Sequence, residues 1–422
     1  MERAANRAIL QALDIDVPSV IIGGRRYTRV GRCEAPYHTM AGSVQVERSL
    51  YRASGARGGT PEGEVVDPVS MRAGVVGAGW LPGTARAMAH AVQLGTSREA
   101  ATSARQNHRL PYARESFERV AHLVGALTVA AHKDIEDSLI EALEIPEEAR
   151  SISVSLDRVS VPMEEPRKRP VGRPKKGAPK RPVEVKYREA YCGTVTLHDR
   201  NGEALHTIRY GCMPNGDAQG MVERLCWDAA TLTSKRPDLE TQLLCDGAHE
   251  MWKLLEEPFS LTGDLGKVHR LVDMHHLTEK LGAAAEVVYG QHGRDEAISR
   301  WKLRLINRSA AAMEILEELV DSGNDEGPGE QHFVHQAITY LENHAERMDY
   351  AKARRMGLPL GSGNVEATCK SLFAMRLKRC GARWKERSAE HIVQLRALAL
   401  SDRWDDAIHL ILRPLSHAVR AA

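Results

Sequence analysis

Ser151-Ile-Ser-Val-Ser-Leu-Asp157-Arg-Val-Ser-Val-Pro-Met163 is the stretch from which the fold is read. Ile152, Val154 and Leu156 alternate with serines, the period-two pattern of a β-strand. The parity changes after Asp157, where Val159 and Val161 are apolar, which predicts either a bulge or a strand covered on both faces. Val183–Leu197 is strand-like too, with Val183, Val185, Tyr187, Tyr191, Val195 and Leu197 all at odd positions. Asp199-Arg-Asn-Gly202 reads as a turn and Leu205–Tyr210 as a third short strand, so the three segments predict an antiparallel meander.

Downstream the period changes. Gln219–Leu232 carries Met221, Val222, Leu225, Cys226 and Ala229 at helical spacing, and Leu243–Cys245 is a short buried strand ending at Asp246-Gly247. His249–Glu256 reads as a helix and Val268–Met274 as another strand. The order β-β-β-α-β-α-β is the ribonuclease-H-like plan, an α/β class in which a meander leads into strand–helix alternation. Residues 277–356 are then almost wholly helical around the acidic, Gly-rich Asp321–Gly329 loop. Gly357–Asn364 is a stiff turn, Asn364 is a good helix cap, and Val365–Arg379 is a returning helix. The fold class is thus a ribonuclease-H-like mixed sheet with a long helical insertion.

Upstream, residues 1–83 read as a small β-rich or irregular module, with strands at Ser19–Ile22, Tyr27–Val30 and Ser43–Tyr51 and a Gly-rich loop at Ser54–Glu64. Residues 84–150 read as a helical domain. There Thr96 caps Ser97–Gln106, and a second helix starts near Glu115 after the turn at His108–Pro111. This pair is either a helix-turn-helix or the corner of an ordinary helical bundle. The expected domains are therefore 1–83, 84–150, a catalytic core at 151–276 with a basic loop at 166–182, an insertion at 277–356, and core completion with C-terminal helices at 357–422.

Composition sets the outer bounds. The chain has 422 residues, 42% hydrophobic, 27% charged and only 5% aromatic, which is enough for several domains whose cores lean on aliphatic side chains. The longest apolar stretch, around Leu123–Ala131, is far short of the ~20 residues of a membrane span, and no secretory h-region follows a basic start. Seven cysteines form no Cys-x-x-Cys, which predicts reduced thiols in a cytoplasmic protein. The net charge of +2 hides a segregation: Arg167–Pro182 holds eight basic residues and no acid, so the remainder carries −6.

Three acids stand out by position: Asp157 on the first strand of the meander, Asp246 at the end of the fourth strand, and Glu366 at the start of the returning helix. In an open sheet of this plan they converge at one end. Crowded carboxylates repel one another unless a cation neutralises them, and hard oxygen ligands select Mg2+ or Mn2+. Two such ions about 4 Å apart suit phosphodiester chemistry. Each acid alone reads equally well as a turn residue or cap. Asp273, a fourth acid before His275 and His276, reads better as a cap for the following helix, and His269, His275, His276, His332 and His335 have no zinc spacing.

The basic loop is the second signal. Arg167, Lys168, Arg169, Arg173, Lys175, Lys176, Lys180 and Arg181 are interleaved with four prolines and two glycines, which forbids regular structure and calls for an anionic partner. Val171-Gly-Arg-Pro174 is close to an AT-hook core, although Val stands where Arg is usual, so non-specific phosphate binding is the safer reading; a solubilising loop is the alternative. After Glu366, Lys370, Arg376, Lys378, Arg379 and Arg383 surround Trp384. They would hold a phosphate backbone while the indole stacks on a base, or else Trp384 anchors the last helices, the preferred reading.

The blocks Ser151–Met163, Cys245-Asp-Gly247 with Trp252, Asp273-Met-His275, Gly361-Ser-Gly-Asn-Val-Glu366-Ala-Thr-Cys-Lys370, Met375-Arg-Leu-Lys378 and Gly381-Ala-Arg-Trp384 resemble an insertion-sequence DDE transposase of the ISKra type. So do Val66-Asp-Pro and Pro82-Gly-Thr-Ala, and the resemblance covers roughly residues 40–405. It implies a catalytic, metal-binding triad at Asp157, Asp246 and Glu366, two Mg2+ (or Mn2+) ions, and a helical insertion between the second Asp and the Glu. It also implies double-stranded DNA as substrate, both element ends and target, and a homo-oligomer on that DNA. Arg158 stands where the family pattern has Gly. The expected activity is hydrolysis at the element ends followed by strand transfer from the freed 3′-OH, in a cytoplasmic, nucleoid-associated protein. A catalytically silent DNA-binding protein on the same fold and a nuclease without strand transfer are the alternatives.

Overall fold

The computed structural model describes residues 1–54, 64–166, 183–261, 268–323 and 331–422. The basic loop Arg167–Pro182, with all eight of its cations, lies outside them. The architecture is mixed α/β, two five-stranded sheets with many helices, and the chain divides into two compact units: Met1–Leu139 with Lys385–Ala422, and Ile140–Trp384. The expected segment 357–422 is thus shared between the units, because the helix Glu386–Leu400 packs on the helix Pro82–Leu94.

In the first unit, β1 (Ser19–Ile22), β2 (Arg25–Thr39), β3 (Gly42–Ala53) and β4 (Val65–Val66) form an antiparallel sheet, which the C-terminal strand β10 (Val419–Ala421) extends beside β1. Buried and exposed residues alternate along much of β3, so one face packs and the other meets solvent. Helices α1 (Glu2–Gln11), α2 (Pro68–Ala73), α3 (Pro82–Leu94), α4 (Ser97–Gln106) and α5 (Arg114–Ala142) follow. Thr96 and Glu99 form the capping box that starts α4. His108 and Leu110 take positive φ between α4 and α5. The second helix is 29 residues long, since apolar positions continue through Ile135 and Leu139.

The second unit has the strand order β7-β6-β5-β8-β9, from β5 (Ser151–Glu164), β6 (Val185–His198), β7 (Ala204–Cys212), β8 (Glu240–Cys245) and β9 (His269–Val272). The first three pair antiparallel as the expected meander, while β8 and β9 run parallel to β5. The β5–β6 register is unbroken from Ser151–His198 to Glu164–Val185, so there is no bulge after Asp157. The changed parity comes from cover on both faces, and Ser151 to Leu156 are all buried. A Cβ on Gly193 would lie 2.5 Å from Leu225 of α6 (Ala218–Lys235), while the next residue back, Cys192, points to the other face and meets Cys369. Helices therefore cover the sheet on both sides.

Helix α7 (His249–Leu261) joins β8 to β9. The expected helical segment is α8 (Met274–Asn307, kinked at Gly290), α9 (Ala311–Ser322), α10 (Gln331–His344) and α11 (Tyr350–Arg355). The chain returns as α12 (Gly363–Thr368), a π-helical turn Cys369–Ala374 and the short α13 (Met375–Leu377). Asn364 is not the cap: Ser362 occupies that position, because Asp273 binds its amide and starts the helix two residues early. Helices α14 (Glu386–Leu400) and α15 (Trp404–Leu412) belong to the first unit. All seven cysteines are free thiols, and among the described residues no helix is long and apolar enough to cross a membrane.

Candidate active site

Leu156 of β5 pairs in parallel with Cys245 of β8, the last pair of that ladder, so Asp157, midway along β5, stands beside Asp246, the residue that follows β8. The Cys245 thiol donates to the Leu156 carbonyl at 3.2 Å, fastening the two strands just before the acids. At Asp246 the chain turns: its Oδ1 accepts the Ala248 amide at 3.0 Å, and its carbonyl accepts Trp252 Nε1 at 2.7 Å. Tyr340, from the insertion, covers this turn so closely that a Cβ on Gly247 would lie 2.2 Å from its ring. Burial, and then the charge of Asp246, push the Tyr340 phenol up.

Asp157 accepts two hydrogen bonds, from the Arg158 amide at 2.6 Å and from the Cys369 thiol at 3.3 Å. Burial pushes its carboxyl above the usual range, and the Asp246 charge pushes the same way; the Arg158 amide, the Cys369 thiol and His276 oppose. Cys369 in turn is held well up, first by its hydrogen bond with Cys192 and then by burial. The Cys192–Cys369 contact therefore seats the returning helix against Asp157. The Arg158 guanidinium extends to Glu250 of α7 at 3.2 Å, and Glu250 also accepts the Tyr191 hydroxyl at 3.0 Å.

Glu366 lies in the first turn of α12, exposed. Its Oε1 is 3.5 Å from His276 Nε2 and 3.4 Å from the Ser362 hydroxyl. Asp157 and Asp246 are thus brought together, and the helix of Glu366 is brought to Asp157 through Cys369, three residues on. The Glu366 carboxylate itself faces His276. Among the described residues no group of three His, Cys, Asp or Glu side chains is arranged to hold a metal ion. The aspartate pair fits one hard divalent cation by its donor chemistry, since Asp157 is desolvated beside a second carboxylate and, among the described residues, has no Lys or Arg ion pair.

The cations after Glu366 are placed unequally. Lys370, Lys378, Arg379 and Arg383 are exposed. Arg376 is buried and stacks over the Trp384 ring at 4.9 Å, which spends it inside the fold. Trp384 is clamped to β5: its amide donates to Pro162, its carbonyl accepts from Glu164, and its indole N–H donates to Leu377 at 3.1 Å. Asp273 caps α8.

Reasoning from sequence passed over Cys369, His276 and Ser362. In the sequence Cys369 is one more residue of the returning helix, and His276 has no zinc spacing. The available signal was the spacing of Cys369 and Ser362, three and four residues from Glu366, and the place of His276 three residues after Asp273.

No family model matches the chain, and no curated protein matches it. Among the solved structures similar to it are two transposase complexes. One is the Drosophila P element transposase strand transfer complex, at 11% identity over 79% of this chain and 83% of that one, with a TM-score of 0.29. The other is the Mos1 transposase paired-end complex with left transposon end, at 11% identity over 64% and 79%, with a TM-score of 0.17.

Proposed function

We propose that the chain is a DDE transposase of an insertion sequence, of the ISKra type, with a ribonuclease-H-like catalytic domain in its second unit. One observation carries the reading: in a β7-β6-β5-β8-β9 sheet, Asp157 of β5 and Asp246 after β8 stand side by side where the parallel ladder between those strands stops, and the thiol three residues after Glu366 is hydrogen-bonded to Asp157. This is the end of the sheet where an open α/β fold presents side chains to a crevice.

Asp157 and Asp246 would hold Mg2+ or Mn2+, with Glu366 completing the set once its carboxylate leaves His276. Bound there, the ions supply Lewis-acid activation of the attacking oxygen and stabilisation of the departing one. The protein's own contribution is orientation: Cys369 and the Arg158 amide hold the Asp157 carboxylate, and the Asp246 turn is fixed by Trp252. In the first reaction water adds to a phosphorus at the element end and the bond to the 3′ oxygen breaks, giving a 3′-OH and a 5′-phosphate. In the second, that 3′-OH attacks a target phosphorus and displaces the target's own 3′ oxygen, so one phosphodiester forms for one broken. The exposed Lys370, Lys378, Arg379 and Arg383, together with the basic loop, would bind the DNA backbone. A homo-oligomer would assemble on the paired ends.

A second reading, a catalytically silent DNA-binding protein on this fold, is favoured by the pairing of Glu366 with His276 and by Arg158 beside the first aspartate. Incubation of purified protein with labelled DNA carrying the inverted repeats that flank the gene, with Mg2+, separates the two. Joined products are the expected result. Cuts without joining point to a nuclease, and a salt-sensitive mobility shift without cleavage establishes the silent protein instead.

A further inference from the structure

Asp273 follows β9 with its side chain buried, 1% exposed, and among the described residues its carboxylate accepts from backbone amides. Oδ1 accepts from His275 and His276, at 2.5 and 3.1 Å, which starts α8. Oδ2 accepts from the amide of Ser362, which starts α12. The main chain repeats the link: the Asp273 amide donates to Cys245 beside Asp246 at 2.9 Å, and the Met274 amide donates to Leu360 at 3.1 Å. One carboxylate therefore registers the strand next to Asp246 against the first turns of both helices whose side chains, His276 and Glu366, meet at 3.5 Å.

We propose that Asp273 is a positioning residue that sets where the Glu366 carboxylate stands relative to Asp157 and Asp246, so that it controls the affinity of the site for a divalent cation. The inference rests on the reading of Asp157, Asp246 and Glu366 as metal ligands. Its physical basis is the two-oxygen geometry. An ordinary helix cap serves one helix, whereas Asp273 serves two, and α12 begins within four residues of the carboxylate it delivers. Asparagine at this position keeps one acceptor but turns an NH2 toward either the α8 or the Ser362 amide, donor against donor, so one of the two helix starts must move. Partners that orient a ligand typically change metal affinity by ~10–100-fold when removed.

The test is calorimetric titration of the full chain with Mn2+, with circular dichroism to monitor folding. Asp273→Asn is expected to weaken Mn2+ binding by ~10–100-fold with the fold retained. Ser362→Pro, which removes the same hydrogen bond from the other side, should do likewise and decides the matter if Asp273→Asn fails to fold. Asp217→Asn changes the cap of α6, whose side chain accepts the Gly220 amide at 2.8 Å, and should leave Mn2+ affinity unchanged. Glu366→Gln is run in parallel. Weakened binding in Glu366→Gln with wild-type affinity in the folded Asp273→Asn or Ser362→Pro overturns the positioning role, as does an equal loss in Asp217→Asn. Wild-type affinity in Glu366→Gln and Asp157→Asn overturns the ligand assignment itself.

Discussion

Two carboxylates, one in each unit, Glu136 buried and Asp157 half-buried, have opposite surroundings. Glu136 of α5 lies against Arg403, 2.9 Å away, with the side chains 4% and 6% exposed. Asp157 of β5 has a thiol, a backbone amide and a second carboxylate for neighbours. The sheets differ in the same sense. In the first, Arg32 answers Asp14, Asp16 and Glu47 at a half-wet surface. In the second, cover on both faces leaves Asp157 partly desolvated. An acid that carries its own cation is structural, and an acid held up by burial beside another acid is, on the proposed reading, where a cation from outside would bind.

The sharpest way to break this contrast is Asp246→Asn. It should lower cleavage on the order of 10³-fold or more while the DNA mobility shift persists; loss of the shift with intact folding would make Asp246 a DNA-contact or structural residue. Next, Glu136→Ala should cost ~3–5 kcal/mol in urea unfolding, because it strands a buried guanidinium. Asp157→Asn should leave stability at pH 7 within ~0.5 kcal/mol of wild type or above it, since it removes a desolvated charge. Equal destabilisation by the two variants would erase the distinction.

His198 sharpens the point about cover. Buried between Ser153 Oγ at 2.7 Å and the Gly202 carbonyl at 3.0 Å, it donates from Nδ1 and accepts at Nε2, and burial lowers its pKa to about 4. A depressed histidine contributes stability that is present above its unfolded value of 6.5 and lost as pH falls toward 4. About 1.4 kcal/mol per pH unit should disappear across that window in urea titrations, and His198→Phe should flatten the slope. The smallest effect expected is for Arg158→Gly. Its pair with Glu250 is exposed on both sides, 43% and 56%, so the melting free energy should change by less than ~0.5 kcal/mol.

The meander and the strand–helix alternation were legible because each rests on local periodicity: the alternation of Ile152, Val154 and Leu156, the Asp199–Gly202 turn, and the helical spacing of Met221 to Ala229. The strand Val419–Ala421 was not legible, because three residues carry no period and their partner β1 lies nearly four hundred residues away. Nor was the helix start at Ser362, where the local preference of Asn364 for capping yields to a buried carboxylate from another strand.

The same division runs through the candidate site. Sequence alone placed Asp157 on the first strand of the meander and Asp246 at the end of the fourth, because each position follows from a local strand pattern whatever the rest of the chain does. Only the tertiary structure decided that Cys369 bonds Asp157, that Glu366 faces His276, that Arg376 stacks on Trp384, and that Asp273 ties two helix starts together. Those contacts join residues as far as 212 positions apart, and the direction of a side chain at such a junction is set by packing and by hydrogen-bond geometry, which no local pattern encodes.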